Sequence, residues 1–458
     1  MSKKRRRQER LQVVNPDCAG IDIGKDTHYV AVPGERCDDP VRSFPGFTRD
    51  LHEMSQWLQS CGVRTVAMES TSVYWIPVFE VLDRAGFDVV LVSPRATKQI
   101  SGRKSDVLDC QWIQQLMSYG LLRGAFRPDD EVCPLRSYVR QAKRLSEDRA
   151  RSVQHMQKAL TEMNVRLDSV ISNIMGKTGE AILRAIVSGE RDCHRLASLR
   201  DGRIRASVET IATSLEGTWR EEHVFVLEQA LHRHDFLTAQ LDACERRIAA
   251  AVDNLTPPYD PETGEVRDNG DGGEPAPHTD ATLAHALHRM MGVDLTRVPT
   301  IGATTALTVA AEIGPDFSAF PSAQHFCSWL GLAPGTRISG GKKLSGRSPS
   351  VVNKVARSLR IAAVTARRSQ TFIGAKHRSR LARLEKAVAV NATARELACL
   401  IYNMVTRGTE YVERGMEAHE RNRTSRVMTS LTRRARQLGF ALVAIDENQP
   451  TTAAVTTA

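Results

Sequence analysis

The order of short apolar runs and amphipathic segments between residues 18 and 120 restricts the fold more than any other feature of the sequence. Apolar runs typical of strands are followed by segments with helical periodicity, which begin near Thr48 and Ser105 as caps and end at glycines. The strand-like runs are 18–24, 28–33, 64–69 and 88–92, and the helical segments are 48–60, 74–85 and 106–120. A third strand could precede the first helix. This order predicts an α/β domain, a mixed sheet with helices on its faces.

Composition excludes several classes of protein. Of the 458 residues, 41% are hydrophobic and 25% are charged, as in a soluble globular protein. No apolar run approaches the roughly 18 residues that a membrane span needs, and the charged start MSKKRRRQER is unlike a secretory signal. The nine cysteines form no CxxC pair, so we expect reduced thiols in a cytoplasmic protein without a membrane partner.

Two long helices are predicted after the α/β region. In residues 134–172 an apolar stripe at spacings of 4, 3, 4 and 3 is typical of a heptad seam, and a second long helix is predicted at 220–255. The stripe consists of Met156, Leu160, Met163, Leu167 and Val170. A helical hairpin within one chain and a dimer interface both explain this pattern.

The remaining sequence changes character twice. Residues 256–280 hold five prolines, four glycines and seven acids, which predicts a flexible linker. Residues 281–408 predict a mostly helical unit, and the tail after it is polar and helical before it becomes disordered from Asn448.

Four acids stand out as candidate metal ligands. Asp22 interrupts an apolar strand, which is unfavourable unless something compensates the buried charge. Glu69 ends another strand, and Asp106 and Asp109 share one face of a helix start. Carboxylates gathered in one cleft favour Mg²⁺, with Mn²⁺ as the alternative, and two such ions suit phosphodiester chemistry. The alternatives without a metal are that the helix dipole alone favours Asp106 and Asp109, and that Glu69 caps a helix.

Positive charge is concentrated in residues 339–386. This segment has thirteen Lys or Arg and one acid, Glu385, a local excess of twelve charges where the whole chain carries +10. Such density predicts nucleic-acid contact, although a solvated helix face is the alternative. The candidate nucleic-acid ligands are Lys342, Lys343, Arg347, Lys354, Arg357, Arg360, Arg367 and Arg368.

A serine, Ser339, opens this basic segment within the glycine-rich sequence RISGGKKLSGR. A hydroxyl there could approach a phosphate closely, and it becomes a nucleophile only if a base or a metal activates it. A plain phosphate-binding loop is the alternative. The second Ser-Gly pair, at Ser345, leaves a second register open for a reactive serine.

Six sequence segments together resemble the DEDD transposases of the bacterial insertion-sequence one-ten family, which includes the one-sixteen and nine-oh-two elements. They are GIDIGKDTHYVAV, VAMESTSVYW, KSDVLDC, VPTIGATTALTVAAEIG, WLGLAPGTRISGGKKLSGR and GTEYVERGME. The sequence departs from the family after the serine, where SPSVVNKVARSLRIAA replaces a Ser-Lys-x-Gly-Asn pattern of many members.

The resemblance implies a RuvC-like, RNase H fold for the first domain and a serine nucleophile in the last. It carries the metal ligands over to Asp22, Glu69, Asp106 and Asp109 and the nucleophile to Ser339. It further implies donor and target DNA as partners, a structured noncoding guide RNA in some members, and dimers that pair into tetramers in the prokaryotic cytoplasm with the nucleoid.

The resulting domain plan has six parts. They are a basic disordered tail at 1–17, a RuvC-like DEDD domain at 18–125, a helical coiled-coil region at 130–255, an acidic flexible linker at 256–282, a mostly helical serine-containing transposase domain at 283–410, and a helical and disordered tail at 411–458. We interpret the chain as a transposase that cuts and rejoins DNA. The alternatives are a RuvC-like junction nuclease that uses water and an inactive nucleic-acid-binding protein.

Overall fold

The computed structural model describes residues 12–70, 72–97, 106–255, 279–335, 337–346 and 353–442. The chain divides into two units, Met1–Arg127 and Pro128–Ala458. Several predictions lie outside the described residues: the Ser105 cap, Arg347, most of the basic tail and of the acidic linker, and the end of the C-terminal tail. Within the described part, no helix is long and apolar enough to cross a membrane.

The first unit contains five strands and four helices. In chain order they are β1 (Cys18–Ile23), β2 (Thr27–Ala31), β3 (Val41–Pro45), α1 (Thr48–Ser60), β4 (Thr65–Glu69), α2 (Trp75–Arg84), β5 (Asp88–Val92), α3 (Pro94–Thr97) and α4 (Asp106–Ser118). The sheet has the order β3-β2-β1-β4-β5. β1 pairs antiparallel with β2 and parallel with β4, so the predicted mixed sheet is confirmed.

Each face of this sheet has its own core. Ile21 and Met68 point to the face that α1 and α2 cover, where Leu58 and Leu82 complete the packing. The opposite face, which we call the α4 face, packs Cys18, Ala67 and Val92 of the strands against Ile113 and Met117 of α4. Because the sheet is covered on both sides, its central strands are apolar at nearly every position.

One helix start in this unit differs from the prediction. Thr48 is the first residue of α1 rather than its cap, since Phe47 occupies the cap position and no side chain caps the helix. Asp50 in the first turn is favoured there by the helix dipole. The helix ends as predicted, because Gly62 takes a positive φ of 67° just beyond it.

Besides three short 3₁₀ helices, the second unit contains twelve α-helices and one hairpin in the described residues. In chain order they are α5 (Val132–Glu162), α6 (Lys177–Val187), α7 (Cys193–Ser198), α8 (Val208–Ser214), α9 (Glu221–Leu255), α10 (Asp280–Met291), α11 (Ala303–Ile313), α12 (Ala323–Trp329), β6 (Arg337–Ser339), β7 (Lys342–Ser345), α13 (Lys354–Thr365), α14 (Phe372–Leu381), α15 (Lys386–Arg407) and α16 (Thr409–Gln437).

The predicted helix at 134–172 was wrong in its extent. α5 ends at Glu162, and Asn164 has a φ of 59°, which turns the chain out of the helix. The last part of the heptad stripe, Leu167 and Val170, therefore lies beyond α5. The stripe packs into a core shared with α6–α9, so that α5 and α9 pack together within one chain.

A cluster of aromatic rings joins α12 to α15 in the same unit. Phe326 lies against Phe317 and Phe320 with ring centroids 5.3 and 5.2 Å apart. The hydroxyl of Tyr402 donates a 2.7 Å hydrogen bond to the carbonyl of Phe320. These contacts fix α12, after which the chain continues toward the β6–β7 hairpin.

Candidate functional site

Asp22 and Glu69 are neighbours on adjacent strands. β1 and β4 are parallel, with Ile21 beside Met68 in the register, so the residues that follow, Asp22 and Glu69, lie side by side at the carboxyl ends of both strands. Both residues are half-buried. Two acids that the sequence separates by 47 positions are thus brought together by strand pairing alone.

Both acids point to the α4 face. Successive side chains of a strand alternate between the two faces of a sheet. Cys18 and Ala67 belong to the α4-face core, and Asp22 and Glu69 follow them at even spacings along β1 and β4. The carboxylates therefore extend the row of residues that α4 covers.

α4 lies very close to β1 at Gly20. A Cβ added to Gly20 would overlap the backbone of Cys110 and would lie 2.8 Å from the Cα atom of Gln114. Asp109 is half-buried next to this contact, whereas Asp106, one turn nearer the start of α4, is exposed. The close approach at Gly20 thus sets the first turn of α4 on the face that carries Asp22.

The pKa of the Cys110 thiol depends in part on these acids. The pKa of Cys110 is raised to about 12, mainly by burial and to a smaller extent by the negative charges of Asp22 and Asp109. Both carboxylates are therefore near one buried atom. A thiol that stays protonated beside them is an inert packing group.

Glu69 is held by a side chain that the sequence did not single out. The hydroxyl of Thr97 donates a 2.8 Å hydrogen bond to the Oε2 atom of Glu69. The carbonyl of Thr97 in turn accepts a 3.2 Å hydrogen bond from the indole of Trp112 on α4. This chain of contacts orients the carboxylate and connects it to the same helix as Asp109.

The acids share one face without a complete set of metal ligands. Among the described residues, no group of three or more His, Cys, Asp or Glu side chains is arranged to hold an ion. The donor chemistry nevertheless fits a hard divalent cation, because all four candidates offer carboxylate oxygens. Asp22 and Glu69 lie side by side at the ends of their strands, Asp109 is half-buried on the helix that covers the same face, and Asp106 is exposed.

Ser339 lies at the tip of the β6–β7 hairpin. It pairs with Lys342 across a two-residue turn, in which Gly340 and Gly341 have φ values of 54° and 77°. Two positive φ values are typical of a tight hairpin turn that only small residues adopt readily. Added Cβ atoms at these glycines would meet no atom within 4 Å, and Ser339 and Lys342 are exposed. The serine is thus placed on an open turn beside a cation on the same face of the hairpin.

The basic residues that follow Ser339 fall into two groups. Lys376 and Arg380 both bind the carboxylate of Glu396 on α15, and the Nε atom of Arg360 donates to Asn391 at 2.8 Å. These cations stabilise the packing of the helices. Arg367 and Arg368 are exposed on the turn after α13, where phosphate groups could reach them. Arg357 on α13 is also exposed but contacts Glu147.

The sequence missed the acids that neutralise part of this charge. Glu396 follows the basic segment by ten residues, and Glu147 precedes it. Each contacts a cation of the segment only because the helices pack. The local excess of positive charge is therefore smaller in the structure than in the sequence.

Carboxylates on a helix-covered sheet face, together with a separate basic unit that exposes a serine, suit an enzyme that acts on nucleic-acid phosphates. Two family models match the chain. A DEDD transposase model of the IS110 type, described as Transposase, matches residues 19–165, and the Transposase IS116/IS110/IS902 family model matches residues 294–377. None of the curated proteins compared with the chain matches it. The two matches support an IS110-family transposase, and such domains suggest a DNA-cleaving and rejoining enzyme.

Proposed function

We propose that the protein is a DNA transposase-recombinase that cuts and rejoins strands through Ser339, with carboxylates of the first unit holding divalent metal. The observation that carries the proposal is the pairing of Asp22 with Glu69 on the α4 face, within a segment that a DEDD transposase model matches. Two half-buried carboxylates side by side are unfavourable, since like charges repel each other. A cation between them removes that cost.

The metal ligands in this proposal are Asp22, Glu69 and Asp109, with Asp106 one turn further along α4. Bound Mg²⁺ or Mn²⁺ would polarise a phosphate oxygen and favour deprotonation of a nearby hydroxyl. Thr97 keeps the carboxylate of Glu69 oriented through its hydrogen bond. Such outer contacts matter for metal sites because they fix the direction of the donor atoms.

The serine in this proposal supplies the nucleophile. The Oγ atom of Ser339 attacks the scissile phosphorus and gives up its proton to solvent. The bond from phosphorus to a deoxyribose oxygen breaks as the phosphoserine bond forms, and the released oxygen takes up a proton. That bond conserves the energy needed for rejoining. Lys342 lies opposite Ser339 in the hairpin register, and in this proposal it contacts the phosphate.

A covalent-adduct assay on a nicked suicide substrate tests the proposal. We expect an adduct from the wild-type protein in Mg²⁺, no adduct from Ser339→Ala or Asp22→Asn, and a retained adduct from the matched control Ser345→Ala. DNA binding by Ser339→Ala should stay unchanged. Cleavage without any adduct would favour a nuclease that uses water, and full activity of Asp22→Asn would exclude the carboxylate cluster.

The resemblance adds two finer proposals, a structured guide RNA and a homo-oligomer. The exposed cations of the second unit support contact with a polyanion but do not distinguish RNA from DNA. Sequencing the RNA that co-purifies with the protein tests the guide. Light scattering of the purified protein tests the dimer or tetramer.

A further inference from the structure

The buried carboxylate of Glu312 attaches α5 to α11. It accepts hydrogen bonds from Arg136 at 2.9 Å and from Arg140 at 2.8 and 2.6 Å. Only 8% of the Glu312 side chain is exposed. Burial raises the pKa of this carboxyl, but the two guanidinium groups outweigh burial and hold it below its usual value. One carboxylate is thus shared by two cations.

More cations surround Glu312 than its single negative charge can neutralise. Burial lowers the pKa of Lys354 at the start of α13, and the positive charges of Arg140, Lys143 and Arg144 lower it further, although Glu312 acts in the opposite direction. α11 packs against both α5 and α13, and Arg357 of α13 contacts Glu147 of α5, which brings Lys354 toward the same face of α5. A lysine in the first turn of a helix also opposes the helix dipole.

A further contact joins α13 to this face of α5. Arg357 lies 3.7 Å from the carboxylate of Glu147, and both side chains are substantially exposed. The α5 residues 136, 140, 143, 144 and 147 are spaced at helical intervals, so they form one stripe. We call the surface formed by Lys143, Arg144, Lys354 and Arg357 the α5–α13 surface.

The guanidinium group of Arg144 is oriented without being neutralised. Its Nε and Nη2 atoms donate to the neutral amide oxygen of Gln141 at 3.1 and 2.7 Å. A guanidinium group held in this way keeps its full charge and loses little conformational freedom when it binds an anion. Arg144 itself is exposed.

Helix packing explains only part of this cluster. Glu312 with Arg136 and Arg140 makes a buried ion pair that joins two helices. It does not explain why Lys143, Arg144 and Lys354 converge on the same place, where mutual repulsion is unfavourable. An external polyanion is the partner whose charge would remove this repulsion.

We infer that the α5–α13 surface binds the phosphate backbone of duplex DNA. The inference rests on the proposed function, which supplies DNA as the partner, and it places part of the footprint on a helix that precedes the basic segment by about 200 residues. α5 has 31 residues, so at about 1.5 Å per residue it is long enough for backbone contacts to continue along it.

The salt dependence of DNA binding by the full-length protein tests the inference. The probe is a fluorescent 30-base-pair duplex of arbitrary sequence, and the variant is Lys143→Gln with Arg144→Gln. Loss of two phosphate contacts should make the negative slope of log K against log salt less steep by roughly 1.8. The control, Arg149→Gln with Arg247→Gln, removes one cation from the opposite side of α5 and one from α9, both outside the surface, and should leave the slope at the wild-type value.

The remaining outcomes separate this inference from the proposed function. An equal slope change in variant and control, or none in either, overturns the surface even if the wild type forms a covalent adduct. A lowered slope supports the surface even if no adduct is ever formed. A larger slope change with duplex RNA of the same length than with DNA overturns the assignment to DNA. Melting temperatures within 2 °C of the wild type, roughly the effect of a small stability change, would show that both variants fold.

Discussion

At the scale of single residues, Gly20 has the largest consequence for the candidate site. Only a residue without a Cβ lets the backbone of α4 approach β1 so closely. Asp22 follows two positions later on the same face, and Asp109 lies on the helix that makes the contact. The geometry of the carboxylates thus depends on a residue that carries no functional group.

We expect Gly20→Ala to destabilise the first unit. The added methyl group would overlap the backbone of Cys110 and Gln114, and overpacking of this kind costs about 1–3 kcal/mol or more. Thermal unfolding followed by circular dichroism measures the loss. Gly34→Ala is the matched control, since its Cβ would meet no atom within 4 Å. Equal melting temperatures for the two variants would contradict the close approach of α4.

His28 on β2 should make the first unit sensitive to acid. Burial lowers the pKa of this imidazole from 6.5, and its Nδ1 atom has no hydrogen-bond partner. The unfolded chain therefore binds the proton more readily than the folded chain, and the stability due to the neutral ring is present above pH 6.5 and is lost as the pH falls toward the folded-state pKa.

Melting temperatures between pH 8 and pH 5 test this expectation. The wild type should lose more stability than His28→Gln over that range, because glutamine does not titrate there. Other histidines contribute equally to both proteins, so the difference isolates His28. Parallel curves for the two proteins would show that the ring does not titrate on unfolding.

At the scale of elements, the end of α5 decides how the helical region is built. Asn164 takes a left-handed conformation two residues after the helix, and asparagine tolerates this better than branched residues do. The chain then folds back to pack Leu167 into the core with Leu227 of α9. A continuous helix would have carried these apolar side chains away from that core.

We expect the identity of residue 164 to control stability through its backbone. Asn164→Val should cost about 1–3 kcal/mol, because a β-branched residue is strained at positive φ. Asn164→Gly should change the free energy of unfolding much less than this, since glycine adopts the conformation freely. Urea unfolding measures both values. A valine variant as stable as the glycine variant would mean that the turn is not required.

At the scale of the whole molecule, the chain consists of two units with different chemistry. The first carries the paired acids on a sheet, and the second carries the hairpin serine and the basic helices. The cores on both faces of the sheet use only residues between 18 and 122. The first unit therefore has its own complete hydrophobic interior.

A fragment of residues 12–127 should fold by itself. Because both sheet faces are covered within this range, we expect a single cooperative thermal transition with mixed helix and strand signals. Circular dichroism of the purified fragment measures it. Asp22→Asn in the fragment should melt at the same or a higher temperature, since one of two adjacent like charges is removed. A fragment without a cooperative transition would show that the second unit is needed.

The sequence by itself determined most elements of the first unit and allowed two of its acids to converge. Most strands and helices there follow from a local pattern of apolar residues with glycines or turns at the ends, as at Asp88–Val92, which matches the structure residue for residue. The short helix Pro94–Thr97 was not predicted. Parallel strands end at one edge of a sheet. The neighbourhood of Asp22 and Glu69 was therefore foreseeable from their positions in two strands.

Only the tertiary structure decided how charges meet and where α5 stops. Glu312 reaches Arg140 across 172 positions, and Thr97 reaches Glu69 across 28, and no local pattern encodes such partners. The heptad stripe continued through Asn164 in the sequence, but burial of Leu167 against α9 favoured a turn. Local patterns show which face of an element is apolar. Long-range partners depend on how those faces pack, and the packing energy is shared among residues that lie far apart in the chain.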